Sequence, residues 1–187
     1  MTRPVHVLGI SGSLRRASFN TALLRAAAEL LPADMTLEIH DLADIPLYHG
    51  DVEEAGPPAS VHAFKARIAA ADALLIATPE YNYSVPGVLK NALDWASRPM
   101  PSPMSGKPLA IIGAGGRFGT VRAQLHLRQI AVYLNLLPLN KPELMVPLAW
   151  EKFDRDGRLT DEPTRVALRE LLAALGDWTR RLHAAHD

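Results

Sequence analysis

Short apolar runs alternate along this chain with longer amphipathic segments, and this alternation limits the possible folds more than any other feature. The runs that predict strands lie near residues 5–10, 36–40, 73–77, 108–112 and 139–146. Segments with helical periodicity lie near residues 19–31, 59–71, 86–98, 119–136 and 162–184. This order is typical of βαβ units, which build a mainly parallel sheet with helices on both faces. Because no repeat or linker interrupts it, we expect one α/β domain over residues 1–187.

Composition excludes several other classes of protein. The 187 residues include 20 Lys and Arg and 20 Asp and Glu, so the formal net charge is zero, which argues against a nucleic-acid binder held by a general basic field. The absence of cysteine excludes disulfides, thiolate nucleophiles and iron–sulfur clusters. No apolar stretch reaches the roughly 18 to 20 residues that span a bilayer, and no signal-peptide pattern is present. We therefore expect a cytoplasmic protein that binds neither membrane nor nucleic acid.

The predicted helix over residues 119–136 is apolar on two sides when its residues are placed about 100° apart. One stripe comprises Val121, Leu125, Val132 and Leu136, and the opposite stripe comprises Leu127, Ile130, Ala131 and Leu134. One stripe can cover the sheet, but the other needs a second cover. A neighbouring loop or helix could supply it, and so could an identical subunit.

The first candidate ligand loop follows the first strand and runs from Gly9 to Asn20. In an open parallel sheet, ligands bind beyond the carboxyl ends of the strands. This loop places serines, an asparagine and two arginines before a helix, where backbone N–H groups and the helix dipole favour an anion. It therefore predicts a phosphate site, although Ser18 or Asn20 could equally cap the helix. Its glycine spacing is not that of a dinucleotide fingerprint or a P-loop.

Two further loops follow the third and fourth predicted strands. Residues 78–87 contain two tyrosines and two prolines, which offer rigid, flat surface suited to an aromatic ring. Alternatively, Ser84 caps the next helix and both tyrosines pack beside the core. Residues 113–119 contain four glycines, which allow close approach of backbone to a ligand or merely make the loop flexible. Together the three loops predict a mononucleotide site with an aromatic ring, and FMN is the leading candidate.

Two long motifs resemble those of the NADPH-dependent FMN reductase family, which has the flavodoxin-like fold. They run from Gly12 to Asn20 and from Pro79 to Trp95, with further agreement at residues 44–48 and 126–129. The resemblance covers nearly the whole chain and is greatest to bacterial chromate and quinone reductases. It implies a three-layer sandwich whose five-stranded parallel sheet has the order 2-1-3-4-5.

The same resemblance implies a set of cofactor-binding residues. The FMN phosphate would be held by Ser13, Arg15, Ser18 and Asn20. The isoalloxazine would be lined by Glu80, Tyr81, Asn82 and Tyr83, with Ser84 and Val85 beside them, and the predicted set also includes Phe19, Pro79, Gly115 and Gly116. In the resemblance Gly115 aligns with a serine of close relatives, and its loop is about two residues shorter here, so this loop departs from the family pattern.

The activity implied is that of an NAD(P)H oxidoreductase. NADPH or NADH would pass hydride to flavin N5, and a quinone, azo or nitro compound, or chromate would then take its place in a ping-pong cycle. No side chain is an obligatory acid or base, and relatives form homodimers or homotetramers. The alternative is a flavodoxin-type electron carrier without NAD(P)H oxidation, but such carriers are typically strongly acidic. We predict no metal site, because His183 and His186 stand at a terminus where solvation is the simpler expectation.

Overall fold

The computed structural model describes residues 3–185. The strands are β1 (Val5–Ser11), β2 (Met35–His40), β3 (Ala73–Ala77), β4 (Pro108–Ala114), β5 (Leu137–Pro138) and β6 (Leu144–Val146). The helices are α1 (Phe19–Glu29), α2 (Gly50–Ala55), α3 (Ala59–Ala70), α4 (Gly87–Ala96), α5 (Val121–Tyr133) and α6 (Glu162–Ala184), with a short 3-10 helix at Ala149–Glu151. None of the helices within residues 3–185 is both long and apolar enough to cross a membrane.

All strand pairs are parallel, and the sheet order is β2-β1-β3-β4-β5. This is the flavodoxin-like order, and the predicted fold class is confirmed. The order reverses direction between β1 and β3, which are neighbours in the sheet although β2 lies between them in the chain. The loops after these two strands therefore leave the sheet side by side, which opens a crevice at its carboxyl edge.

The predicted fifth strand, residues 139–146, is wrong as a single element. Two short strands occupy that sheet position instead: β5 pairs with the start of β4, and β6 pairs with its end. Residues 139–143 lie outside both strands and include Pro142, which has no N–H to donate to a ladder. The polar residues Asn140, Lys141 and Glu143 stand beside this proline, so the predicted strand is interrupted by a polar segment.

The core lies on both faces of the sheet. All five residues of β3 are buried. On one face the buried side chains of α1 and α6 pack against the sheet, and on the other those of α3, α4 and α5 do so. The unpredicted helix α2 has no buried residue, so it carries no apolar stripe that the sequence could display.

Hydrogen-bonded caps fix the starts of two helices. Ser18 accepts the N–H groups of Asn20 and Thr21 at the start of α1. Asp161 accepts the N–H and the hydroxyl of Thr164 at the start of α6, and Lys152 pairs with the same carboxylate at 2.9 Å. The hydrogen bond from Thr164, followed by that from Lys152, lowers the pKa of Asp161 from 3.8 to about 2.

Helix α5 is apolar on two sides, as predicted, with one correction. Leu127 and Ala131 are buried against the sheet. Val121, Leu125 and Val132, from the opposite stripe, are 37%, 54% and 80% exposed. Leu136 was assigned to this exposed stripe, but α5 ends at Tyr133 and Leu136 turns back into the core. No loop or helix within residues 3–185 covers these three side chains. The alternative that a neighbouring loop or helix of the same chain buries this stripe is therefore wrong.

Candidate functional site

The site is built by three loops at the carboxyl edge of the sheet. We call them the phosphate loop (residues 12–20, after β1), the ring loop (residues 78–86, after β3) and the glycine loop (residues 113–119, at the end of β4). Gly12 anchors the first to the second, because its N–H donates to Ala77 O at 2.8 Å. A Cβ at Gly12 would lie 3.0 Å from Pro79 Cδ and 3.2 Å from Pro86 Cγ, so the two loops approach each other as closely as glycine permits.

The phosphate loop presents hydrogen-bond donors. The hydroxyl of Ser18 is buried and already accepts two backbone N–H groups, at 3.2 and 3.4 Å, so its own proton is free to donate outward. The backbone N–H groups of Leu14, Arg16 and Ala17 meet no protein acceptor within residues 3–185. Unpaired donors beside the N-terminus of α1 form a concave site for an anion. Ser18 therefore caps α1, and its hydroxyl proton stays available to an anion, so the two roles do not exclude each other.

Ser13 and Arg15 complete the donor set of the phosphate loop. Ser13 is buried, and its hydroxyl accepts the N–H of Arg15 at 3.3 Å, which leaves the hydroxyl proton available. The Ser11 hydroxyl is not part of this donor set, because it hydrogen-bonds Thr21 Oγ1 at 2.8 Å. The Arg15 side chain is exposed and makes no ion pair within residues 3–185, so its guanidinium is available to grip a phosphate.

Asn20 ties the phosphate loop to the glycine loop. Its amide group accepts the N–H of Ala114 at 2.9 Å and donates to the carbonyl of the same residue at 3.0 Å. The side chain is buried, so both bonds are shielded from water. The role of Asn20 at the phosphate stays a prediction. The two hydrogen bonds show that Asn20 fixes the distance between the phosphate loop and the glycine loop. Asn20 does not cap α1.

The ring loop ends in a tight turn over residues 81–84. Tyr81 and Ser84 exchange two backbone hydrogen bonds, at 3.1 and 3.0 Å. The two central residues, Asn82 and Tyr83, have positive φ of 50° and 65°, which defines a type I′ turn. A tyrosine in this left-handed region costs on the order of 1–2 kcal/mol. The turn holds Tyr81 and Tyr83 out from the surface, where they are 51% and 66% exposed.

Glu80 joins the ring loop to α5. One carboxylate oxygen accepts the backbone N–H groups of Arg122 and Ala123, at 2.8 and 3.1 Å, and the other accepts the Arg122 guanidinium at 3.1 Å. Thr120, the N-cap of α5, makes no side-chain cap, so Glu80 caps this helix from a distant loop. The Arg122 guanidinium also lies 4.0 Å from the centroid of the Tyr83 ring.

The glycine loop requires glycine at position 115. A Cβ on Gly115 would lie 2.5 Å from the carbonyl oxygen of Gly119, whereas a Cβ on Gly116 would meet nothing within 4 Å. Gly119 has a φ of 60° and closes the loop by donating to Gly116 O at 3.0 Å. The loop therefore could not keep this form with any side chain larger than hydrogen at position 115.

Most of the predicted cofactor-binding residues lie together. A cavity of about 160 Å3 is lined by Ser13, Arg15, Ser18, Phe19, Asn20, Pro79, Glu80, Tyr81 and Gly115. An adjoining cavity of about 380 Å3 is lined by Asn82, Tyr83 and Gly116, together with Glu80 and Gly115. Ser84 and Val85 instead line a separate cavity between α4 and α5. The proposed cap by Ser84 is wrong, because the N-cap of α4 is Pro86, which has no side-chain hydrogen bond to give, and Ser84 instead bonds His126 Nδ1 at 2.9 Å.

Sequence reasoning missed two residues of this site, Arg122 and Phe118. The Arg122 guanidinium lies over the Phe118 ring, 5.2 Å from its centroid, as well as over Tyr83. Phe118 lies in the predicted glycine loop but was not named as a site residue. Arg122 stands in no motif, and its contacts with Glu80 and Tyr83 join segments far apart in the chain. The metal-site question for His183 and His186 stays open, because His186 lies outside the residues that the structure describes.

Comparison with known proteins shows which family the chain resembles. A family model described as NADPH-dependent FMN reductase matches residues 5–151. An NAD(P)H-dependent FMN reductase of Pseudomonas aeruginosa is 56% identical over 183 residues, covering 97% of this chain and 99% of the relative. A quinone reductase of Escherichia coli strain K12 is 43% identical, covering 97% and 99%. The structure of a flavoenzyme NAD(P)H:(acceptor) oxidoreductase from Paracoccus denitrificans superposes with a TM-score of 0.83 at 36% identity, covering 95% and 98%.

Proposed function

We propose, on the premise that this chain belongs to the NADPH-dependent FMN reductase family, that it is an FMN-dependent NAD(P)H oxidoreductase that reduces quinones. The observation that carries the proposal is the buried Ser18 hydroxyl, which accepts two N–H groups and can only donate toward the cavity. A donor-only site at a helix N-terminus suits a phosphate ester, and the adjoining aromatic turn suits a flat ring. FMN carries both groups in one molecule.

The residues of the three loops fit this cofactor. Ser13, Arg15 and Ser18 would hold its phosphate, with the free backbone N–H groups of the phosphate loop as further donors. The tyrosines of the ring loop and the backbone of the glycine loop would line the isoalloxazine. Bound FMN supplies two-electron chemistry by taking hydride at N5 and delivering electrons to an acceptor. The chain would supply position: the carboxylate of Glu80, which lines both cavities, is held by Arg122 and by two backbone N–H groups of α5.

We propose a ping-pong order for NAD(P)H and the acceptor. The turn over residues 81–84 stands at the surface, and its two tyrosines leave one open platform beside the glycine loop. Two flat molecules that need the same platform must use it in turn. Steady-state rates measured at several fixed quinone concentrations should give parallel double-reciprocal lines, and intersecting lines would rule out this order.

Quinones are the acceptors that the relatives' names support most directly. We extend the proposal to azo and nitro compounds and to chromate, because an open, exposed platform places no deep pocket around the acceptor. Comparing kcat/KM for a benzoquinone, an azo dye and chromate tests this breadth. Reduction of the quinone alone would restrict the enzyme to that class.

The decisive experiment uses the purified protein under anaerobic conditions. It should be yellow, lose its colour when NADPH is added and regain it when a quinone follows. A flavodoxin-type carrier would bind FMN but leave it oxidised in the presence of NADPH, exchanging electrons only with a partner protein. The zero net charge favours the enzyme, because a carrier needs a charged docking surface.

We further propose that a second copy of the chain covers α5, giving a homodimer or homotetramer in the cytoplasm. The exposed stripe of Val121, Leu125 and Val132 has no cover within residues 3–185. In analytical ultracentrifugation, Leu125→Glu with Val132→Glu should shift the wild-type oligomer toward monomer. Val166→Glu, at an exposed apolar position of α6, is the matched control and should leave the oligomer intact. A monomeric wild type would overturn this proposal.

A further inference from the structure

A second cleft adjoins the phosphate loop on its outer side. Its walls are α1 and the hairpin over residues 153–159, and it encloses about 330 Å3. Phe19 and Phe153 hold the two walls together, with ring centroids 5.3 Å apart, and Phe153 pairs with Leu159 across the hairpin. Both ends of the hairpin are thus packed into the core, so the cleft is part of the folded structure.

Four arginines line this cleft, which we call the arginine cleft: Arg15, Arg16, Arg25 and Arg155. All four are exposed, and none makes an ion pair within residues 3–185. Most other arginines of the described chain do pair with an acidic side chain. Four unpaired guanidinium groups around one concavity repel each other, and an anion between them would relieve that repulsion.

The acidic groups in the arginine cleft do not neutralise it. Asp154 Oδ1 accepts the backbone N–H groups of Asp156 and Arg158, at 2.9 and 2.8 Å. Asp156 pairs with the Arg158 guanidinium at 3.2 Å. The two carboxylates are therefore occupied by the hairpin's own backbone and by its own arginine. Since Arg15 is assigned to the FMN phosphate, this leaves Arg16, Arg25 and Arg155 for another anionic partner.

The arginine cleft is continuous with the proposed FMN site. Arg15, Ser18 and Phe19 line both cavities, so a ligand in the arginine cleft would lie directly beside the FMN phosphate. The inner cavity already offers Ser13, Ser18 and free backbone donors for the FMN phosphate. The outer arginines can therefore bind a second anionic group, on a molecule that lies next to bound FMN.

We infer that the arginine cleft binds the 2′-phosphate of NADPH and selects NADPH over NADH. This inference rests on the proposed function, and it adds the residues that choose the nucleotide. A terminal phosphate has three oxygens open to bidentate guanidinium contacts, which arginine provides and bare backbone does not. Pyrophosphates, by contrast, are typically held by glycine-rich backbone at a helix N-terminus, and arginine is the residue that accommodates a 2′-phosphate in other dinucleotide sites.

The test compares two small probes on the FMN-loaded protein by isothermal titration calorimetry. The 2′,5′-bisphosphate of adenosine should bind more tightly than adenosine 5′-monophosphate, which lacks only the 2′-phosphate. Arg25→Ala and Arg155→Ala should each weaken the bisphosphate roughly tenfold, as for the loss of one charge-assisted hydrogen bond. Neither should change the binding of the monophosphate or the FMN content.

Arg181→Ala is the matched control. It removes one exposed positive charge from the last turn of α6. This end of α6 lies beside Arg3 and Val5, at the edge of the sheet opposite the arginine cleft. It should leave the preference for the bisphosphate at the wild-type value. If Arg181→Ala reduces the preference as much as Arg25→Ala does, the effect is one of net charge and the inference is overturned.

Further outcomes separate this inference from the proposed function. Equal binding of both probes by a protein that oxidises NADPH overturns the arginine cleft alone. A preference that depends on Arg25 and Arg155 supports the cleft even if quinone reduction fails, because the titration needs no turnover. If the two variants weaken FAD but not the bisphosphate, the cleft serves the adenylate half of a flavin, and the inference is again overturned. In active enzyme, both variants should raise KM for NADPH and leave KM for NADH unchanged.

Discussion

The carboxylate of Glu80 holds Arg122 twice, through the backbone N–H at 2.8 Å and through the guanidinium at 3.1 Å. The first contact caps α5, and the second keeps the guanidinium 4.0 Å from the centre of the Tyr83 ring. One acidic side chain therefore positions both a helix and the turn that carries the aromatic platform. The resemblance predicted Glu80 as a residue that lines the isoalloxazine. In the structure its carboxylate joins the ring loop to the start of α5.

Replacing Glu80 should separate these two effects. Glu80→Ala removes the cap and the ion pair, so we expect the free energy of unfolding to fall by about 1–2 kcal/mol. Glu80→Gln keeps an oxygen for the backbone N–H groups and should lose less, yet it releases the guanidinium. Both variants should weaken FMN binding in a fluorescence titration, whereas urea denaturation should distinguish them. Equal stability of wild type and Glu80→Ala would contradict the cap.

Arg15→Ala tests the phosphate loop. Because Arg15 is exposed and makes no ion pair within residues 3–185, the apoprotein should keep its melting temperature. The dissociation constant for FMN should rise roughly tenfold through loss of a charge-assisted contact. Arg181→Ala, which removes a remote charge of the same sign, should leave the FMN affinity unchanged. An unaltered affinity in Arg15→Ala would remove this residue from the phosphate site.

The sequence predicted those parts of the site that follow from local pattern. Ser18 stands directly before an apolar, alanine-rich helix, and the buried run of β3 leads into the ring loop, so both loops could be placed at the same edge of the sheet. Local pattern carries this information because a helix start and a strand end are each decided by neighbouring residues.

Contacts between distant segments could not be predicted in the same way. Glu80 and Arg122, or Asn20 and Ala114, meet only because the sheet brings their loops together. The hairpin that carries Arg155 has neither strand-length runs nor helical periodicity, so nothing marked it as a wall of a cleft. The break in the fifth strand is different, because it is visible locally: residues 140–143 are Asn-Lys-Pro-Glu, which are polar and include a proline that cannot donate to a ladder.

Tyr83 should reveal the strain in the turn over residues 81–84. Its φ of 65° disfavours any residue with a Cβ, so Tyr83→Ala loses the ring and keeps the strain, whereas Tyr83→Gly loses both. We expect Tyr83→Gly to be more stable than Tyr83→Ala by about 1 kcal/mol in urea denaturation. Both should alter the kinetics of quinone reduction. Wild-type rates in both variants would make Tyr83 a packing residue only.

Asp161 should contribute a pH-dependent part of the stability. Its folded pKa of about 2 lies below the ordinary value of 3.8, so its contribution is present above pH 4 and is lost as the pH falls toward 2. Asp161→Asn keeps an N-cap acceptor but does not titrate. Its melting temperature should therefore fall less steeply than that of wild type over this window. Asp51→Asn, at a side chain that is 92% exposed, is the control and should follow the wild-type curve. Parallel curves for wild type and Asp161→Asn would contradict the assignment.

Gly115 and Gly116 offer a matched pair in the glycine loop. In Gly115→Ala the new methyl group would lie 2.5 Å from the carbonyl oxygen of Gly119, so the loop must shift, and we expect a loss of about 1–3 kcal/mol in unfolding free energy. In Gly116→Ala the methyl group meets nothing within 4 Å, and stability should be nearly unchanged. The same shift should weaken FMN binding in Gly115→Ala, because Gly115 lines the cavity with Ser18. If both variants are equally stable, the loop can adopt the form that accommodates a serine at position 115.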